Sequence, residues 1–391
     1  MSKKRSKVRF QNEVDLIKVH YKKQSRGQSL TCLDMFNGRR HLRKRSVAGI
    51  LCGSLFLTVI SATVLGKTTT VVYASDIEKY TNADFAMDTV VSETLYTSGA
   101  DINTQIGEKL REMETTLLSW TEENSQISQL NNADGKTMEV SDDLAADLEK
   151  IRQLSQDSNG AFDPTLGKII RLWDIDGENP HIPSDDELNS LLENVGYDKV
   201  TLDGNKVTMP EGVTLDLGAA GKGIGCDAAQ KILDADKNVS GMILNLGGSS
   251  VMSYGSKPDG SAWQVAVTDP RDTEGDYLGV VTLNGTEFLS TSGDYEKYFI
   301  EDGVRYHHIL DPATGYPARS GLTSVTVVCD DGLNADGLST ACFVLGKEKA
   351  EELLKKYNAD GLFVDDSDHV WMTEGMKERF QLLKDTYSIG E

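Results

Sequence analysis

Basic residues are scarce over most of this chain. It holds 40 Lys and Arg against 61 Asp and Glu in 391 residues. Fifteen of the 40 fall in residues 1–75, beside only three acids, Glu13, Asp15 and Asp34. Residues 76–391 therefore keep 25 basic against 58 acidic residues, a formal charge of −33. That body lacks the basic surface that displaces counterions from nucleic acid, which argues against general nucleic-acid binding. Cysteine is sparse as well. Cys32 and Cys52 lie near the N-terminus and Cys226, Cys329 and Cys342 in the body, with no CxxC and no metal-ligand spacing. The last three are expected to be small, buried, reduced residues, with a Cys329–Cys342 disulfide as the alternative. There is no internal repeat, no low-complexity tract and no strict β-α-β alternation, so a doubly wound parallel sheet is not expected. What remains, 39% hydrophobic and 26% charged, is the composition of a folded globular protein.

The basic residues concentrate where they carry a topological signal. Residues 46–66 run without a charge, long enough to span a bilayer's hydrocarbon core, directly after Arg39, Arg40, Arg43, Lys44 and Arg45. The positive-inside rule then keeps residues 1–45 in the cytoplasm and exports the body. The segment reads as a transmembrane anchor, with a signal h-region cut after Ala74 as the alternative. Leu51 before Cys52 is too large for the usual lipoprotein motif. Residues 67–84 read as a linker and residues 85–391 as one large catalytic domain of mixed α+β class.

Within the body, a strand is expected from Phe85. A helix is expected over 100–120, where Ile106, Leu110, Met113 and Leu117 recur at helical spacing. Helices are also expected over 142–158 behind the N-cap Ser141, and over 185–195 behind Ser184. A hairpin should turn at Asp203-Gly204. Further helices are expected over 224–235, 335–345 and 347–358. Strands are expected over 242–246, 263–268, 278–283, 288–291, 324–329 and 361–365.

Several stretches are dense in chemistry-bearing residues. Gly218-Ala-Ala-Gly221-Lys222-Gly223-Ile-Gly225 follows an apolar strand and opens a helix. It is not a Walker A motif, since Gly223 follows the lysine where Ser or Thr is needed. Backbone N–H groups at such a helix start still favour an anion, and Lys222 adds charge; a tight turn needing glycine is the structural alternative. Asp336 and Thr340 stand four apart, so both oxygens share a helix face, as a hard cation such as Mg²⁺ requires. Alone, Asp336 reads more readily as a helix N-cap. Residues 290–298 and 305–317 carry many polar side chains, including His307 and His308. Asp311-Pro-Ala-Thr-Gly315 suits an Asx-type turn. Gly160-Ala-Phe-Asp-Pro-Thr-Leu-Gly167 and Asn245-Leu-Gly-Gly248 have the same loop character.

Taken together these pieces resemble the ApbE family, the FAD:protein FMN transferases. The matching pieces run in family order from Ala86-Met-Asp-Thr89 through Leu118-Ser-Trp120, Ser128-Gln-Leu-Asn131, Gly160-Ala-Phe-Asp-Pro164, Asp216-Leu-Gly218, Lys222-Gly223, Asp227, Asn245-Leu-Gly-Gly248, Ser292-Gly-Asp-Tyr295 and His308-Ile-Leu-Asp-Pro-Ala-Thr-Gly315 to Asp336–Thr340. The resemblance implies a mixed α+β fold related to the tunnelling fold. It implies FAD contacts at Met87, Trp120, Ala161, Phe162, Asp163, Asp216, Lys222 and Leu310. It implies Mg²⁺ held by the Ala219 carbonyl, Asp336 and Thr340, with Ser339 close by. The implied reaction moves FMN from FAD to a threonine hydroxyl of an exported target protein, expected in an electron-transfer chain, and releases AMP. His308 is the candidate base, with Asp336 the rival. An FAD pyrophosphatase and a non-catalytic flavin-binding protein of the cell surface are the alternatives. Gly221 and Ile224 depart from the family's usual alanine and aromatic.

Overall fold

The computed structural model describes residues 77–390. The basic region 1–45, the expected anchor 46–66 and the Ala74 cleavage site lie outside the described residues. Among those described, no helix is long and apolar enough to cross a membrane.

A nine-stranded sheet forms the frame. Its strands are β1 (Glu78–Ala86), β2 (Thr89–Thr97), β3 (Val239–Leu246), β4 (Ser250–Gly255), β5 (Glu287–Gly293), β6 (Leu322–Cys329), β7 (Asp360–Asp365), β8 (His369–Met372) and β9 (Ser388–Ile389). They lie side by side in chain order. Every neighbouring pair is antiparallel except the last, β8 with β9. The strand β1 begins inside the stretch read as a linker, so the folded body starts earlier than residue 85. The single strand expected from Phe85 is instead the tip of a hairpin. Met87 and Asp88 both take φ of 55° and turn the chain between Ala86 and Thr89.

Period-two alternation sends successive residues to opposite faces. Phe288, Val327 and Phe363 join the core under the helices, whereas Leu289, Val328, Leu362 and Val364 pack against a second, three-stranded sheet. That small sheet comprises Trp263–Asp269, Asp272–Leu283 and Phe380–Leu382. The helical layer includes α1 (Asn103–Met113), α2 (Asp142–Asp157), α3 (Gly221–Ala235), α4 (Gly332–Leu345) and α5 (Lys347–Lys356). Ile106, Leu110, Leu144, Leu148, Ile151, Leu233 and Phe343 are fully buried in it. Each such side chain contributes about 1.5–3 kcal/mol by leaving water.

Local chemistry sets the helix ends. Ser141 and Ser184 cap their helices as expected, Ser184 in a reciprocal capping box with Glu187. The helix expected over 100–120 is α-helical only to Met113, passes through one π-helical turn at Glu114–Leu118 and leaves Trp120 beyond its end. Cys226, Cys329 and Cys342 are buried and free, so no Cys329–Cys342 disulfide forms.

Candidate functional site

The site is built where α3 and α4 meet the sheet. Their backbones touch: a Cβ on Gly223 would lie 2.1 Å from the Gly332 carbonyl oxygen, and one on Gly332 would lie 2.4 Å from the Gly223 oxygen. Only glycine at both positions permits this approach. Asp227 of α3 fastens the junction by accepting the N–H groups of Gly332 at 2.7 Å and Leu333 at 3.0 Å. Gly221 has no such constraint, since a Cβ there would meet only the Met87 Cε at 4.0 Å. The alanine usual at this place would fit.

Asp336 does not cap its helix. The cap of α4 is Asp331, whose side chain accepts the N–H of Asn334. Asp336 is buried in the body of α4, accepting the Gly223 N–H at 3.0 Å and the Ser250 hydroxyl at 3.1 Å. Burial raises its pKa, while Lys222 and these donors pull it back down. The Gly223 N–H would otherwise continue the helix ladder back to Ala219. Given to Asp336, it leaves the Ala219 carbonyl with no hydrogen bond among the described residues. One turn along α4, the Ser339 and Thr340 hydroxyls both approach Ser292 Oγ of β5, at 2.7 and 3.2 Å. Asp336, Thr340 and the Ala219 carbonyl thus supply a hard, all-oxygen donor set of the kind that suits Mg²⁺. Among the described residues no cluster of three or more His, Cys, Asp or Glu could hold a metal, so this set rests on one carboxylate and neutral oxygens.

Lys222, on the first turn of α3, contacts the Ser249 hydroxyl and acts electrostatically on both Asp336 and His308. His308 is half-buried. Loss of solvent and the nearby Lys297 and Lys222 cations push its pKa down to about 4, so the ring is neutral at pH 7. Its Nδ1 lies 3.2 Å from the Lys297 carbonyl. A carbonyl can only accept, so Nδ1 carries the hydrogen and Nε2 is left as an acceptor. That is the protonation state a general base needs.

A third group gathers around Trp120. Its indole is 38% exposed, which removes it from the core. The Arg171 guanidinium sits 4.7 Å above the ring. Arg171 also faces Asp216, whose pKa burial raises and whose Oδ1 accepts the Gly218 N–H at 2.8 Å. Asp216 is held in place by its own N–H to Pro164, and its neighbour Leu215 by a double hydrogen bond to the Asn131 amide. Met87, at the hairpin tip, is anchored through its N–H to Glu114 at 2.7 Å and packs on the glycine face of α3.

Not every expected contact residue presents itself to a ligand. Phe162 is 2% exposed and lies against Gly337 of α4, so it offers core packing rather than an aromatic platform. Ala161 beside it is buried too. Asp163 spends one oxygen on Thr165 of its own loop and the other on the Tyr197 N–H of a distant turn. Leu310 is buried in a small separate core with Trp173 and Leu188. Asp311 makes the expected Asx turn, accepting the N–H of Ala313 at 2.9 Å. Conversely, sequence reading passed over Arg171, Ser249, Ser250 and Glu114. Ser249 and Ser250 directly follow the Gly247-Gly248 turn, the one local signal that could have drawn attention to them.

Comparison with known proteins shows which family the chain resembles. A model of the ApbE family matches residues 87–363. The chain is 32% identical over 328 residues to an FAD:protein FMN transferase of Treponema pallidum (strain Nichols), covering 78% of this chain and 90% of that one. It is 34% identical over 280 residues to an FAD:protein FMN transferase of Haemophilus influenzae, covering 69% and 80%. Among solved structures, the ApbE protein of Thermotoga maritima superposes with a TM-score of 0.70 at 33% identity, covering 77% of this chain and 99% of that one. The flavinyl transferase ApbE of Pseudomonas stutzeri does so with a TM-score of 0.69 at 28% identity, covering 78% and 97%.

Proposed function

The chain belongs to the ApbE family and is an FAD:protein FMN transferase, and we propose that it works with Mg²⁺, takes a threonine hydroxyl as acceptor and releases AMP. The observation that carries this reading is the convergence of Asp336, a neutral His308 and the Ala219 carbonyl, which has no hydrogen bond among the described residues, around Lys222.

In this reaction the threonine oxygen attacks the phosphorus on the riboflavin side of the FAD pyrophosphate. The bond from that phosphorus to the bridging oxygen breaks, and AMP leaves with that oxygen. His308 Nε2 takes the threonine proton. Such transfers depend on in-line positioning and charge neutralisation more than on covalent catalysis. Lys222 supplies a fixed positive charge beside the phosphates. Asp336, Thr340 and the Ala219 carbonyl would hold Mg²⁺, which contributes charge neutralisation on the pyrophosphate when bound. The stacked Trp120 and Arg171 pair offers a flat surface for an aromatic ring of FAD, and Asp216 accepts from its donors.

The charge-free run at residues 46–66 and its basic flank support a membrane-tethered enzyme whose body faces outward. The proposed target, an expectation from the family resemblance, is an exported flavoprotein of an electron-transfer chain. Incubation of the chain with FAD, Mg²⁺ and such a protein stripped of flavin should make the target fluorescent on a denaturing gel. EDTA should stop the labelling and added Mg²⁺ restore it. Labelling that persists in EDTA would contradict the metal requirement.

A further inference from the structure

The two strands Tyr298–Glu301 and Val304–His307 form a hairpin that ends on His308. Its loop is two residues, Asp302 and Gly303, with φ of 50° and 77°, the signature of a type I′ turn. That turn makes Glu301 and Val304 a hydrogen-bonded pair, and antiparallel pairs alternate. Phe299 with Tyr306 and Lys297 with His308 are then bonded too, as the His308 N–H to the Lys297 carbonyl at 3.0 Å confirms. The main-chain groups of Tyr298, Ile300, Arg305 and His307 therefore point outward. On one edge His307 is buried and the Arg305 carbonyl accepts the Arg319 guanidinium at 2.6 Å. On the other edge, the N–H and C=O of Tyr298 and Ile300 have no hydrogen-bond partner among the described residues. Their side chains are 39% and 62% exposed. The opposite face of the hairpin is fixed, with Phe299 stacked on Tyr306 at 5.2 Å and both against Trp173.

A rigid strand with outward-facing main-chain groups and exposed apolar side chains fits an extended peptide. We propose that the Tyr298–Glu301 edge docks an extended segment of the acceptor protein as a third, antiparallel strand. The proposal rests on the transferase reading above, which requires a protein segment to reach His308. An antiparallel third strand runs the same way as Val304–His307, so its C-terminal end arrives beside Tyr298 and Lys297, one strand away from His308. The acceptor hydroxyl is thus delivered by main-chain pairing, with Tyr298 and Ile300 contacting alternate side chains of the segment.

Proline at residue 300 removes one outward N–H and no hydrogen bond of the hairpin. The probe is a flavin-free exported flavoprotein whose acceptor threonine is known. With FAD binding retained, Ile300→Pro is expected to lower FMN transfer to this protein about tenfold or more, through a raised KM for the acceptor. Transfer at the wild-type rate overturns the proposal. Should Ile300→Pro lose FAD binding, the hairpin itself has been disturbed, and amide hydrogen exchange on the wild-type chain decides. Exchange at Tyr298 and Ile300 slows on adding the acceptor if the edge is paired; unchanged exchange overturns the proposal. A wild-type chain that binds the acceptor with slowed exchange at this edge, yet transfers no FMN, would contradict the transferase mechanism and leave the docking surface standing.

Discussion

The Asp336 carboxylate accepts the Gly223 N–H at 3.0 Å, joining the body of α4 to the first turn of α3 across 113 residues of chain. This one bond fixes the glycine-rich turn against α4 and frees the Ala219 carbonyl. It also separates two roles that sequence alone leaves merged, because the helix cap belongs to Asp331. Asp336→Asn should therefore leave the fold intact, with a melting temperature at or above the wild type, since a buried charge is removed. FMN transfer should fall by at least about a hundredfold, because a neutral oxygen holds a hard cation poorly. Asp331→Ala should do the reverse, costing about 1 kcal/mol of stability through the lost cap while transfer persists. Calorimetry beside a transfer assay on both variants checks the pair. A fully active Asp336→Asn enzyme would remove the metal site.

The glycines of α3 are not equivalent. Gly223→Ala places a methyl group 2.1 Å from the Gly332 carbonyl oxygen, a main-chain clash that neither helix can relieve by rotating a side chain. It should destabilise the protein by several kcal/mol, on the order of a severe overpacking, and abolish transfer. Gly221→Ala meets nothing nearer than 4.0 Å. It should be neutral or stabilising by about 0.5–1 kcal/mol, as a helical glycine replaced without strain. Urea unfolding of the two variants reads the difference.

Two aromatic residues that look alike in sequence should behave oppositely. Trp120→Ala should weaken FAD binding about tenfold, within the range of a lost ring contact and cation–π pair, and leave stability nearly unchanged. Phe162→Ala should cost about 3–5 kcal/mol of stability, because its ring fills the core against Gly337. Titration of flavin fluorescence and thermal unfolding separate the two effects.

Two sets of buried groups should pull the stability of the described body in opposite directions as pH changes. Glu93 is 1% exposed on β2, and burial raises its pKa to about 7. Folding therefore favours its protonated form. The stability this gives is full below the unfolded value near 4.5 and is lost as pH rises through about 7. Asp147 and Asp227, both raised to about 6, add to the same trend. His307 and His308 act the other way. Their pKa values fall to about 4, so their contribution is present above the unfolded value near 6.5 and is lost as pH drops toward 4. Between about pH 4.5 and 6.5 the two sets oppose one another and largely cancel, whereas from pH 6.5 to 7 only Glu93 still titrates and unfolding midpoints should fall. Glu93→Gln should remove that fall; an unchanged fall would show that the Glu93 carboxyl is not its source.

Much of this architecture is written in local chemistry. Ser141 and Ser184 announce their helices because caps act over three residues, and Asp336 with Thr340 announces a shared helical face because the spacing is local. Ser250–Gly255 gives no alternating signal because four of its six residues are buried, as in a central strand. The hairpin of Tyr298–Glu301 and Val304–His307 did carry its signal, Asp302-Gly303 between two apolar runs, and was hidden by the polar motif around it. Ser250 and Arg171 are not legible as site residues, because their relations to Asp336 and Trp120 exist only after the sheet has brought distant segments together. Nor could sequence tell the exposed Trp120 from the buried Phe162.

Tandem mass spectrometry of the acceptor after reaction with FAD and Mg²⁺ measures directly where the FMN phosphate ends. One FMN joined through a phosphoester to a threonine is expected, with AMP formed in equal amount. FAD split to free FMN and AMP beside an unmodified acceptor, or FAD bound and left whole, would contradict it.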